Sequence, residues 1–142
     1  MARRVIALMG TPIITEDAAA AAAITPGHLV ELTSSGTVQK QTDDAANVAA
    51  SFALERDELG KDIDTAYAAG DYVKVGHFCP GQRVYAWIAS GANITKGAYL
   101  TGDTAGRLTA TSVSATVRLA QALESVNNTA GPGDARIRVQ IV

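Results

Sequence analysis

Along much of the chain, apolar and polar positions alternate in short runs, and glycines punctuate the ends of those runs. A period of two sends successive side chains to opposite faces, so each run reads as a half-buried strand. Residues 28–32 and 37–41 form one such pair across Thr33-Ser34-Ser35-Gly36. Residues 49–54 place Phe52 and Leu54 on one face. Residues 72–78 and 83–88 flank a Pro80-Gly81 turn signal, and at the end of the chain Ile137, Val139 and Ile141 alternate with Arg136, Arg138 and Gln140.

One unit occurs twice. Ile24-Thr25-Pro26-Gly27-His28-Leu29-Val30 with Gly36-Thr37-Val38 returns, seventy residues on, as Ile94-Thr95-Lys96-Gly97-Ala98-Tyr99-Leu100 with Gly106-Arg107-Leu108. A glycine releases the chain from a corner, a strand follows, a small polar turn reverses it, and a second glycine opens the return strand. Two copies predict two similar hairpins closing one β-structure; a solenoid needs at least about three repeats.

Elsewhere the pattern is less regular. Residues 1–17 carry Val5, Ile6, Leu8, Pro12, Ile13 and Ile14 with no clean period, which predicts an extended N-terminal arm or an ordinary first strand. Six alanines at 18–23 favour a short helix by propensity, although six residues hold a helix poorly, and a close-packed extended segment is the alternative. Residues 62–67 have room for one helical turn. At 117–126, Leu119, Ala122, Leu123 and Val126 recur at helical spacing.

The 142 residues suit one domain large enough to bury a core. Apolar residues make up 47%, much of it alanine, with only 5% aromatic, so further burial in an assembly is expected. A net charge of −2 without a basic patch argues against nucleic acid as a partner. Cys79 is the one cysteine, so stability is left to packing rather than an internal disulfide. The N-terminal apolar run stops at Gly10-Thr11-Pro12, short of a signal peptide, and no run reaches the roughly twenty residues of a membrane span. The expectation is a soluble protein made inside the cell, with no membrane partner.

Chemistry-bearing motifs are sparse. His77 and Cys79 lie close together, but zinc needs three or four ligands and the other histidine is His28. Asp57, Glu58, Asp62 and Asp64 lack the spacing of a calcium loop and read as a solvated corner. No serine sits in a Gly-x-Ser-x-Gly elbow, and the glycines are dispersed rather than gathered into a phosphate cradle. Tyr85 and Trp87 share a strand face, as a sugar-stacking platform or as buried or interface residues. The expectation is no enzyme, no cofactor and no metal.

Ala69-Gly70-Asp71-Tyr72-Val73-Lys74-Val75, Gly81-Gln82-Arg83-Val84-Tyr85-Ala86, the second copy of the repeat, Leu119-Ala120-Gln121-Ala122-Leu123-Glu124-Ser125-Val126 and Gly133-Asp134-Ala135-Arg136-Ile137-Arg138-Val139 follow in order. Together they resemble the tailed-bacteriophage capsid decoration, or head cement, proteins over residues 24–142. The resemblance implies a mainly β, small barrel- or sandwich-like domain at 18–142, an arm at 1–17 and one or two short helices. It makes 117–126 a strand despite its periodicity. It also implies a virion structural protein, made in the bacterial host cytoplasm, that binds the outside of the head as a homotrimer at three-fold positions and stabilises the major capsid protein shell. Arg3, Arg4, Val5, Ile6, Pro12, Ile13, Ile14 and Trp87 are the expected interface. The alternatives are a carbohydrate- or receptor-binding β-module on the virion surface and a tail or tube subunit.

Overall fold

In the computed structural model, residues 4–10, 14–42, 49–111, 117–131 and 133–142 are described. The architecture is mainly β, and its single helical element among these residues is a 3-10 turn at Asp57–Leu59. The strands are β1 (Ala7–Met9), β2 (Ile14–Ala19), β3 (Val30–Leu32), β4 (Val38–Lys40), β5 (Ser51–Leu54), β6 (Tyr72–His77), β7 (Arg83–Ile88), β8 (Asn93–Ile94), β9 (Tyr99–Gly102), β10 (Leu108–Ala110), β11 (Ala120–Ala122), β12 (Val126–Asn127) and β13 (Ala135–Ile141).

The second half of the chain closes a five-stranded barrel. Its order is β7-β10-β9-β11-β13, and β13 returns to β7 in antiparallel register from Ala135↔Ile88 to Gln140↔Arg83. The contact between β10 and β7 is parallel, at Leu108↔Ile88.

The first half repeats the circuit. β2 pairs β6, β6 pairs β5, Leu29 just before β3 bridges Phe52 of β5, β3 pairs β4, and Ala20 bridges Val38 in parallel. The two hairpins have the same register: Val30↔Lys40 and Leu32↔Val38 in one, Leu100↔Ala110 and Gly102↔Leu108 in the other. Corner hydrogen bonds repeat as well. The Gly27 and Gly97 N–H groups donate to Ala53 O and Ala122 O, each at 2.8 Å. All four repeat glycines, Gly27, Gly36, Gly97 and Gly106, have positive φ between 72° and 98°, the region open to glycine at least strain. The repeated sequence unit therefore marks two rings in tandem, each with its own hairpin, rather than two hairpins of one ring.

Core positions correspond between the rings. Ala20, Ile24, Val30, Val38, Ala53, Val73 and Val75 fill the first; Ile88, Ile94, Leu100, Leu108, Ala122, Ile137 and Val139 fill the second. At most of these places the first ring has the smaller residue. Tyr67 takes up part of the difference, donating its hydroxyl to Leu54 O at 2.6 Å. The rings share a core: Phe52 and Leu54 of β5 leave the first cluster and pack in the second.

Several sequence expectations change here. Ala18 and Ala19 are strand, and the alanine run makes no helix: small side chains let the end of β2 approach β4 at Ala20, which is buried. At 62–67 the Asp62 carboxylate accepts from the Asp64 N–H and the Thr65 hydroxyl, an Asx-type turn that replaces a helical one. Residues 117–126 are β rather than helical, as the family resemblance implied, but as two short pieces, β11 and the start of β12, with a bend between them; Ala120 and Ala122 point inward and Gln121 outward. The described part of 1–17 is not a free arm. β1 pairs β7, β2 is a full strand of the first ring, and Ile6 is 0% exposed in the shared core.

Candidate functional site

At one end of the first ring, polar side chains stand where the second ring has apolar ones. β5 and β6 place Ser51 opposite His77, and β2 places Glu16 opposite Val75. Phe78 N–H donates to Ala50 O, so Ser51 and His77 form the adjacent non-hydrogen-bonded pair, in which side chains stand closest. Ser51 Oγ lies 2.8 Å from His77 Nδ1, and His77 Nε2 lies 2.9 Å from Glu16 Oε1. The three line a groove of about 320 Å³ whose walls include Val30, Leu32, Val38 and Val75.

By register, the counterparts in the second ring are Ala120 for Ser51, Ile141 for His77 and Val84 for Glu16. All three are buried and apolar. The barrel therefore closes with hydrocarbon at these places, and the first ring substitutes a hydrogen-bonded polar chain. Glu31 stands on the same groove. Desolvation works against its charge, but donors from Thr42 and Gln39 outweigh that and hold its carboxyl below the usual range.

A second cluster covers the outer face of β7 and β13. Cross-strand pairs are Trp87↔Arg136 and Tyr85↔Arg138. The Trp87 indole N–H donates to Pro26 O at 2.9 Å, His28 stacks on the ring with centroids 5.5 Å apart, and the Arg136 guanidinium lies 4.1 Å from the ring centre. Arg136 also donates to Pro26 O, to Ile63 O and to Asp64 at 2.8 Å, which clasps the second ring to loops of the first. Trp87 thus works as an internal buttress and is not an open sugar platform. Burial beside this cluster, with Lys40 and Arg136 nearby, lowers the His28 pKa to about 4; its hydrogen bond to Thr25 O opposes the shift.

Of the other expected interface residues, Arg4, Val5 and Ile14 are exposed, with Val5 at 45% and Ile14 at 60%. Ile6 is buried in the core of the chain. Arg3, Pro12 and Ile13 lie outside the described residues. His77 is engaged with Ser51 and Glu16, while the Cys79 N–H takes Gln82 Oε1. Among the described residues no three His, Cys, Asp or Glu side chains gather as a metal site. Glu58 and Asp17 instead pair with Arg56. Sequence reading missed the Ser51–His77–Glu16 chain because its members are 26 and 61 residues apart, and only the strand register brings them together.

No family model matches the chain, and no curated protein matches it. Among solved structures, the N base of the head fiber gp8.5 in bacteriophage phi29 shares the fold. That likeness has a TM-score of 0.58 and 13% sequence identity, and covers 91% of this chain and 93% of that one.

Proposed function

We propose that this protein is a structural component of a phage virion that binds the outside of the head and reinforces the capsid shell. The observation that carries the reading is the near end-to-end likeness in fold to the base of a phage head fiber. The ordered Gly-corner units that resemble capsid decoration proteins support it independently. Such a role requires no catalysis. A protein that binds only the assembled shell stabilises it by mass action. A homotrimer at three-fold positions would add avidity through effective concentration.

Exposed Arg4, Val5, Met9 and Ile14, on or beside the strands that edge the two rings, are the proposed contact residues with the major capsid protein or a neighbouring protomer. The test is co-sedimentation with purified phage heads, followed by heating of bare and decorated heads. Decorated heads should survive to higher temperature; absence of binding, or equal survival, overturns the proposal.

A further inference from the structure

We propose that Ser51 is an activated nucleophile and that the mouth of the first ring is an acyl-transfer site for small carboxylic esters, with His77 as base and Glu16 as its orienting group. This stands apart from the capsid role.

A nucleophile becomes competent when a base accepts its proton and a third group fixes the base. The Glu16 carboxylate can only accept, so it selects the His77 tautomer that carries hydrogen on Nε2, at 2.9 Å. That leaves the Nδ1 lone pair facing the Ser51 hydroxyl, at 2.8 Å. The two ring nitrogens exchange the roles they have in the chymotrypsin-type triad, but the proton path is the same.

The second ring supplies a control built into the chain. Its Ala120, Ile141 and Val84 occupy the equivalent places and are buried, so this architecture does not require a polar chain there. The groove is small, about 320 Å³, and walled by Val30, Leu32, Val38 and Val75, with carboxylates at Glu16 and Glu31. It favours a short apolar acyl group over an anionic one.

The step balances without a further reactant besides water. Ser51 Oγ attacks the ester carbonyl carbon as its proton passes to His77 Nδ1. The C–O bond to the alcohol breaks, and the alcohol leaves with the proton from Nδ1. Water then attacks the acyl-serine, giving one proton to Nδ1, and the carboxylic acid departs as Ser51 regains its hydrogen. The Ser51 N–H is committed to Ala49 O at 2.8 Å, so the nucleophile's own amide does not serve the oxyanion. The expected acceleration is that of base assistance alone, on the order of 10²-fold.

The experiment uses the full chain with a fluorophosphonate probe, mapping the modified peptide by mass spectrometry, beside hydrolysis of p-nitrophenyl butyrate across pH. Wild type should be modified at Ser51 and hydrolyse the ester. Ser51→Ala, which installs the residue of the sister ring, should abolish both with its melting temperature retained. Glu16→Gln should slow labelling about ten-fold, and His77→Gln about a hundred-fold; either suffices if the other fails to fold. No labelling at Ser51, or an unchanged rate in a folded Glu16→Gln or His77→Gln, overturns the proposal.

Discussion

Truncating Ile6 separates an N-terminal segment that merely reaches outward from one that completes the core. Ile6 is 0% exposed, packs in the cluster shared by both rings, accepts the Tyr85 N–H through its carbonyl at 2.8 Å, and donates its own N–H to Glu55 at 3.1 Å. Ile6→Ala leaves those backbone bonds in place and removes buried carbon, a loss of roughly 2–5 kcal/mol for transfer plus cavity. Unfolding entropy is about 2 cal/mol/K per residue, or roughly 0.3 kcal/mol/K for a chain of this length. A loss of about 3 kcal/mol then lowers the melting temperature by about 10 °C. The neighbouring Val5→Ala, at a position 45% exposed, is the control and should change stability by less than about 0.5 kcal/mol. Scanning calorimetry and urea unfolding of both variants give the comparison. If Ile6→Ala melts within about 2 °C of wild type, the segment is not part of the core and its packing has been misread.

Acid should unfold the protein through His28. Its folded pKa, about 4, lies below the ordinary 6.5, so the unfolded chain binds the extra proton first. That contribution, about 3 kcal/mol at most, is complete above pH 6.5 and is lost as pH falls towards 4; His28→Gln should flatten the stability profile in that window. The two turn glycines give a matched pair. A Cβ at Gly106 would meet Leu29 O at 2.8 Å, whereas one at Gly36 meets nothing within 4 Å. Gly106→Ala should therefore destabilise more than Gly36→Ala, by 1 kcal/mol or more in denaturant titrations, although both have positive φ. Arg136→Lys should lose about 2 kcal/mol despite keeping the charge, because an ammonium cannot reproduce the planar contacts to Trp87, Pro26, Ile63 and Asp64.

Much of the fold was legible from local pattern. Alternation located most strands, and the glycine corners located both hairpins; their common register is read from the pairing. The closure was not legible, because the two rings differ mainly in side-chain size at matched core positions, and burial is blind to which ring a valine or leucine joins. Periodicity misled at Leu119, Ala122, Leu123 and Val126, where inward strand positions and a turn imitate a helical stripe. Of the two readings open for the alanine run, the close-packed extended segment holds, because high helix propensity gives way to a tertiary contact that needs a small side chain at Ala20. Trp87 was legible as an aromatic on a strand but not as the centre of a clasp, since His28, Pro26 and Arg136 reach it from distant segments. The same holds for Ser51, His77 and Glu16: none carries a local motif, and their meeting follows from the pairing of three strands.

Cosedimentation of the purified protein with intact phage heads decides whether it is a component of the assembled shell. Binding to assembled heads should be saturable, binding to free major capsid protein absent, and the disruption temperature of the decorated particles higher than that of bare ones. Heads that leave the protein in the supernatant at saturating concentration would contradict that expectation.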